Sequence, residues 1–268
     1  MKRFTWIIGS VAILLMTTVE NDAQADDYKH ALISDRPDTA EASYTVGKYR
    51  LQVETSFALT HDRAAGVTTR AYNFPTLLRF GLNEWLEVRA EGDTLQFQTE
   101  TGAGTTTGFT DTSFGAKVHL QENEGIAPSV GILAHVALPT GRDAFSTNTV
   151  EPEAKVAMDW ELPQDFSLGT NVGLDLPAQD AAGDKYLRFL YAVALNHPFP
   201  WWRSEQFRFF IEFAGAEPTV SGKDGEHTFD AGLAYFITPN VQVDTFMNVG
   251  LTDAAPDFAT GLGLCMRF

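Results

Sequence analysis

Three things are scarce in this chain, and each scarcity removes a class of protein. Cysteine occurs once, as Cys265, so no internal disulfide holds the fold. Basic residues are outnumbered, 19 Lys and Arg against 35 Asp and Glu, and the formal net charge of -16 disfavours a nucleic-acid partner. Beyond the N-terminus there is no apolar run of the roughly 18 to 20 residues that a transmembrane helix needs. The one N-terminal run, Phe4 to Met16, follows Lys2 and Arg3 and precedes Ala23-Gln24-Ala25. That order is the signature of a cleaved secretory signal peptide over residues 1–25, with the mature chain expected from Asp26.

What the chain has in quantity is alternation. In the last eleven residues Phe258, Thr260, Leu262, Leu264, Met266 and Phe268 share one face of an extended strand, and Ala259, Gly261, Gly263, Cys265 and Arg267 share the other. From residue 47 onward twelve such candidate strands follow one another, each bounded by Gly, Pro, Asn or Asp. Across roughly 60 positions of the apolar phase there is no Asp, Glu, Lys or Arg, although charged residues are 20% of the chain. The opposite phase holds Arg50, Glu54, Arg79, Glu87, Arg89, Glu91, Lys117, Glu153, Lys155, Asp159, Arg188, Arg208, Glu212, Asp230, Asp244 and Arg267. A soluble sandwich would turn those charges outward and would have to bury a very large apolar face. Lipid outside and a polar lumen inside reconcile the two phases.

The expected fold is therefore all-β, a single antiparallel transmembrane β-barrel of about twelve strands in a bacterial outer membrane. Residues 47–268 form the barrel and residues 26–46 a periplasmic leader or plug. Connection lengths agree: Asn83-Glu84-Trp85, Pro163-Gln164-Asp165 and Thr238-Pro239-Asn240 are short, whereas 61–68, 95–108, 139–149, 177–185 and 215–226 read as longer external loops. Trp85, Trp160, Trp201 and Trp202 fall at periplasmic strand ends and predict an aromatic girdle there. Phe268 reads as the assembly signal for the barrel assembly machinery.

Three segments resemble a known family. Asp35-Arg36-Pro37-Asp38 with Glu41 and Thr45-Val46-Gly47, the Leu138-Pro139-Thr140-Gly141 strand exit, and the ending from Tyr235 through Pro239-Asn240, Asp244 and Gly250-Leu251 to Phe268 are similar to the outer-membrane family of the meta-pathway phenol-degradation transporter. The resemblance spans nearly all of the mature chain. It implies a β-barrel that passes small organic solutes, aromatic or hydrophobic ones among them, and it brings no catalytic residues.

A twelve-stranded lumen lies between the side-chain-filled eight-stranded barrel and the open sixteen-stranded porin, so a narrow or plugged channel is expected. Its candidate lining is Arg79, Glu87, Arg89, Glu91, Lys117, His119, His135, Glu153, Lys155, Asp159, Glu212 and Asp244, with opposite charges on adjacent strands cross-linking the wall. Asp35, Arg36 and Asp38 are the plug candidates, with Arg36 expected to meet lumen carboxylates. No metal site or cofactor is assigned, although His119 and His135 stand on neighbouring strands. The rival readings are a structural or adhesion barrel and a barrel-embedded lipid-modifying enzyme. The latter needs a lipid-facing Ser-His pair, and the outward phase as read contains neither residue. Outer-membrane lipid and lipopolysaccharide are the expected surroundings, and the acidic loop residues Asp62, Asp143, Asp180, Asp184, Asp224, Asp253 and Asp257 read as solvated.

Overall fold

The computed structural model describes residues 31–176, 185–198 and 206–268. The expected signal peptide, Trp201, Trp202, Asp180 and Asp184 lie outside the described residues. The strands are β1 (Leu51–Ala64), β2 (Val67–Gly81), β3 (Leu86–Glu100), β4 (Gly104–Gly108), β5 (Thr112–Gln121), β6 (Ser129–Leu138), β7 (Glu151–Glu161), β8 (Ser167–Asp175), β9 (Arg188–Pro198), β10 (Phe207–Pro218), β11 (Glu226–Thr238), β12 (Val241–Gly250) and β13 (Phe258–Arg267). Every pairing is antiparallel. β13 pairs with β1, from Gln52 opposite Arg267 to His61 opposite Phe258, and this pairing closes the sheet into a barrel with no free edge. Twelve strands form the wall. β4 is a short thirteenth that pairs only with the outer end of β3.

The wall is an inside-out protein. Leu78, Phe80, Val88, Phe114, Ile132, Val172, Phe189, Val193, Ile211, Phe213, Met247 and Leu262 stand exposed on the outer face, where lipid rather than water meets them. Arg79, Lys117, Glu54 and Glu87 are fully buried inside. Phe268 bonds to Leu51 in both directions, its N–H donating at 2.8 Å and its carbonyl accepting at 3.3 Å, so the terminal aromatic sits on the seam of the closed barrel. Trp85 is exposed at the β2–β3 turn, and Trp160 donates from Nε1 to the Ile126 carbonyl at 3.1 Å. The end carrying the chain terminus and the short turns is the periplasmic one.

Two loop expectations are corrected. Residues 61–68 are not an external loop: β1 and β2 run on to a two-residue turn at Ala65 and Gly66, both at positive φ (49° and 82°). Such a turn matches strand twist and lets the hairpin continue to its tip. Of residues 95–108, 95–100 continue β3 and 104–108 fold back on it as β4 after a turn at 101–103. The register between β2 and β3 shifts between Asn73 and Pro75; this bulge inserts one extra residue in β3 and exchanges its faces. Leu95 and Phe97 therefore point outward, where the uninterrupted period would have turned them in. β1, β2 and β3 reach 14, 15 and 15 residues, longer than the roughly 9 to 11 that cross a bilayer, so their tips stand above the membrane. Asp62 consequently belongs to a strand and faces inward.

Candidate functional site

Residues 31–47 have no regular secondary structure and run inside the periplasmic half of the barrel. A chain segment without a ladder must find other partners for its N–H groups, and here the lumen wall supplies them. Asp35 N–H donates to both oxygens of Glu54 (3.3 and 3.1 Å), Thr39 and Ala40 N–H to the two oxygens of Glu212 (2.8 and 2.7 Å) and Ser43 N–H to Asp159 (2.7 Å). Val46 N–H donates to Glu87 at 2.8 Å, and Asn171 exchanges hydrogen bonds with Glu41 through its amide at 2.7 and 2.9 Å. Leu32 N–H donates to the Pro239 carbonyl at 2.7 Å, in the β11–β12 turn.

Side-chain charge follows the same plan. Asp35 is a hub: its carboxylate lies 3.3 Å from Arg79, 3.0 Å from Arg89 and 3.0 Å from Lys117, and it also accepts from Ala42 N–H at 2.9 Å. Burial alone would raise the Asp35 pKa, but the three cations outweigh it and hold it below the ordinary value. Glu41 meets Arg89 at 2.9 Å and Lys155 at 3.6 Å. Arg36 donates to Asp244 at 3.2 Å and lies 5.8 Å from the Phe246 ring centre. Asp38 faces Glu212 with no cation beside it among the described residues; burial first, and then that carboxylate, push its pKa well above the usual range.

The structure thus redistributes the expected cross-links. Arg79 does pair across strands, at 2.9 Å with Glu87 and 3.0 Å with Glu54, and His135 stands 3.4 Å from Glu153 and 3.7 Å from Glu91. Lys155 lies 2.8 Å from Glu153. Lys117, however, pairs with Asp35 of the segment, and Asp159, Glu212 and Asp244 are also answered by segment residues, Asp244 having Cys265 of β13 beside it as well. His119 donates from Nδ1 to the Ser43 carbonyl (3.2 Å), has its Nε2 3.1 Å from Glu122, and stacks on Tyr44. Gln52, Glu54, Ser129, Asn171 and Gln242 are buried luminal contacts that the sequence reading did not single out as site residues. Inward phase was the only signal that could have found them.

The apolar contacts of the segment fall elsewhere. Ala40 clusters with Ala192, Ala194 and Ala214 of β9 and β10, and Leu32 with Phe236 and Cys265. Beside these, small residues line the inner faces of β10, β11 and β13: Ala216, Gly232, Ala234, Ala259, Gly261 and Gly263. The Phe210 and Phe246 rings lie against Gly232 and Gly261, where a Cβ would come within 2.4 and 2.6 Å of them. Between the segment and β7–β11 a cavity of about 530 Å³ remains, lined by Arg36, Asp38, Ala40, Tyr44, Asp159, Phe210, Phe236 and Gln242.

The outer face adds a further correction. The longer strands bring His61, His197 and His227 onto the outward phase, which the sequence reading had left without histidine. His227 bonds the Tyr191 hydroxyl through Nδ1 at 2.5 Å and lies 3.3 Å from Glu217 through Nε2; its partners include no serine.

Comparison with known proteins places this geometry. Residues 34–268 match the family described as the MetA-pathway of phenol degradation. Among solved structures, an outer membrane channel from Pseudomonas putida F1 is similar over 88% of this chain and 100% of its own, at a TM-score of 0.62 and 14% identity. The NanC porin is similar over 81% of this chain and 100% of its own (TM-score 0.53, 14% identity). The transport unit of the autotransporter AIDA-I from Escherichia coli is similar over 91% and 96% (TM-score 0.53, 11% identity). No curated relative matches the sequence. The shared feature is the outer-membrane barrel.

Proposed function

Since the chain belongs to the family of the MetA-pathway of phenol degradation, we propose that it is a passive outer-membrane channel for small organic solutes, with single aromatic rings as the upper size class. The observation that carries this reading is the residual space beside the luminal segment. A cavity of about 530 Å³ falls in the range of small-molecule sites, roughly 300 to 1,000 Å³. Its lining sets aromatic faces, Phe210, Phe236 and Tyr44, among polar and charged groups that include Arg36, Asp38, Asp159, Glu161, Arg208 and Gln242. Such a wall accommodates a flat ring carrying one hydroxyl, with the ring against the phenyl faces and the hydroxyl met by one of these polar groups.

In this reading residues 31–46 act as a fixed plug that narrows the periplasmic half, and solute passes along its β7–β11 side. The external half of the lumen, with Glu91, His135, Glu153 and Lys155 on its wall, is the polar vestibule. The barrel assembles through the machinery that recognises its terminal strand, with Phe268 as the signal. No step calls for a nucleophile or a cofactor, and the protein works as a conduit rather than an enzyme.

The test is uptake into proteoliposomes of phenol, substituted benzenes and monosaccharides, alongside planar-bilayer conductance. The expected result is small single-channel conductance with aromatic uptake exceeding sugar uptake. Equal rates for empty and protein-containing vesicles across all solutes would leave a structural barrel as the better description.

A further inference from the structure

The outward phase, free of charge through the membrane band, regains it above the band, and its cations stand together at one place. Among the described strands its Asp, Glu, Lys and Arg are Arg63, Arg70 and Glu217. Glu217 has His227 beside it at 3.3 Å. The two arginines stand together at the tip of the β1–β2 hairpin: His61 is directly opposite Arg70 and Arg63 directly opposite Thr68. Both arginines are exposed, and neither makes an ion pair among the described residues. The nearest strand carboxylates, Asp62 and Glu100, lie on the luminal face of the same hairpins, Glu100 accepting from Gln98 at 2.8 Å. On a chain of net charge -16, a cationic tier with no counter-ion on its own face is unexpected as mere solubilisation.

One step lower on the same face the surface is aromatic and apolar. Leu59 lies opposite Tyr72 and Tyr72 opposite Phe97. The Phe57 ring stacks 6.0 Å from Tyr72 and 5.4 Å from Phe74. Two residues along a strand span about 6.6 Å, so the cations stand about one headgroup height above the rings. An aromatic belt marks the membrane–water interface, and charges above it meet headgroups rather than acyl chains.

We infer that the outward tip of β1–β3 is a binding site for the phosphorylated headgroup of an outer-leaflet glycolipid. Arg63 and Arg70 hold the phosphate from the hairpin, His61 adds a donor, and the acyl chains lie against Phe57, Tyr72 and Phe97. Arginine suits the role because its planar fork presents two N–H groups to two phosphate oxygens at once. Apart from Glu217 on β10, which has His227 beside it, the strand carboxylates are turned into the lumen, so the anionic lipid meets no strand carboxylate on the outward face of the β1–β3 tip. The site is independent of what the lumen carries.

The experiment is native mass spectrometry of the full-length barrel in detergent, titrated with bis-phosphorylated lipid A, with dephosphorylated lipid A and with inorganic phosphate. The expected result is retention of bis-phosphorylated lipid A that falls at least tenfold in Arg63→Ala/Arg70→Ala, since each basic residue at an anionic surface contributes about 1 kcal/mol. Arg63→Lys/Arg70→Lys should keep most of the retention, and Glu217→Gln should leave it unchanged. Heat-modifiable migration shows that each variant is a folded barrel; if the double alanine variant does not fold, Arg70→Gln carries the same comparison. Equal retention by folded wild type and arginine variants overturns the site, as does equal retention of the dephosphorylated lipid. Displacement of lipid A by equimolar inorganic phosphate would mean a free-anion site and overturn the lipid assignment.

Discussion

Strands β1 to β7 and strands β9 to β13 face each other across the same luminal segment with different chemistry. The first arc presents Arg79, Arg89, Lys117 and Lys155, interleaved with Glu54, Glu87 and Asp159, and it engages Asp35, Glu41 and the N–H groups of residues 35, 43 and 46. The second presents alanines, glycines and flat phenyl rings, with Glu212 and Asp244 as its contacts to the segment backbone and to Arg36. One arc fixes where the segment sits, because buried charges tolerate only the partners they were built around. The other leaves space, because small side chains cannot reach across. The cavity opens onto that second side for this reason and is closed on its other flank by Asp159 and Glu161 of β7 and by Ser167 and Gly169 of β8.

The comparison can be broken most severely at its hub. Asp35→Ala leaves Arg79, Arg89 and Lys117 facing one another with less compensation, a loss of about 3 to 5 kcal/mol for removing one partner of a buried charge network. The segment should undock, seen as raised single-channel conductance and as new proteolytic cleavage within 31–46. Unchanged conductance with an uncut segment would show that the charged arc is not what holds it. A smaller effect is expected on the opposite arc. Glu212→Leu strands the Thr39 and Ala40 N–H groups, at about 1 to 3 kcal/mol, and should loosen the middle of the segment while Asp35 still anchors its start; amide exchange at residues 39 and 40 reads this directly.

Filling the small-residue arc sharpens the contrast in a different quantity. Ala234→Leu adds volume on the cavity wall at a cost of about 1 to 3 kcal/mol, and it should depress aromatic uptake severalfold. Glu153→Gln, on the charged side and away from the cavity, should leave that uptake near wild type. If the two variants behave alike, solute does not use the β9–β11 side.

The smallest expected effect is a pH response. Asp38 has a raised pKa in the docked segment, so docking takes up a proton: its contribution is complete at low pH and is lost as pH rises through the raised value. Asp35 has a lowered pKa, so its contribution is present above the ordinary carboxylate range and is lost only as pH falls through the depressed value. Above the ordinary carboxylate range Asp38, rather than Asp35, therefore sets the response. Conductance should fall modestly on acidification from neutral pH toward that range in the wild type and stay flat in Asp38→Asn. A rise in the wild type over the same window would contradict the assignment of Asp38 to the docked side.

Much of this molecule was legible along the chain because a transmembrane strand has a period of two and no tolerance for charge on its lipid face. Leu78, Val88, Ile132, Ile211 and Leu262 announced their direction by what alternated with them. The tips of β1 to β3 were illegible, since above the membrane the outward face no longer has to be apolar and His61 to Thr68, Arg63 among them, reads as loop. The bulge in β3 was hidden for a related reason: one extra residue exchanges the phase without altering composition. Within the lumen the inward charges could be enumerated but not matched. Lys117 has many possible partners by strand order, and the one it takes, Asp35, is 82 residues away.

Sequence by itself determined that the chain closes on itself in an outer membrane, because only a closed sheet satisfies every backbone group in lipid and only lipid explains a face without charge. Tertiary structure alone decided what fills the barrel. The segment from 31 to 47 has no period, so nothing local tells its N–H groups where to go. Its path is set by the positions of Glu54, Glu87, Asp159, Asn171 and Glu212 on strands brought together by closure. The arc left with small residues follows from the same event, since which strands stand opposite one another is a property of the closed ring and of no strand within it.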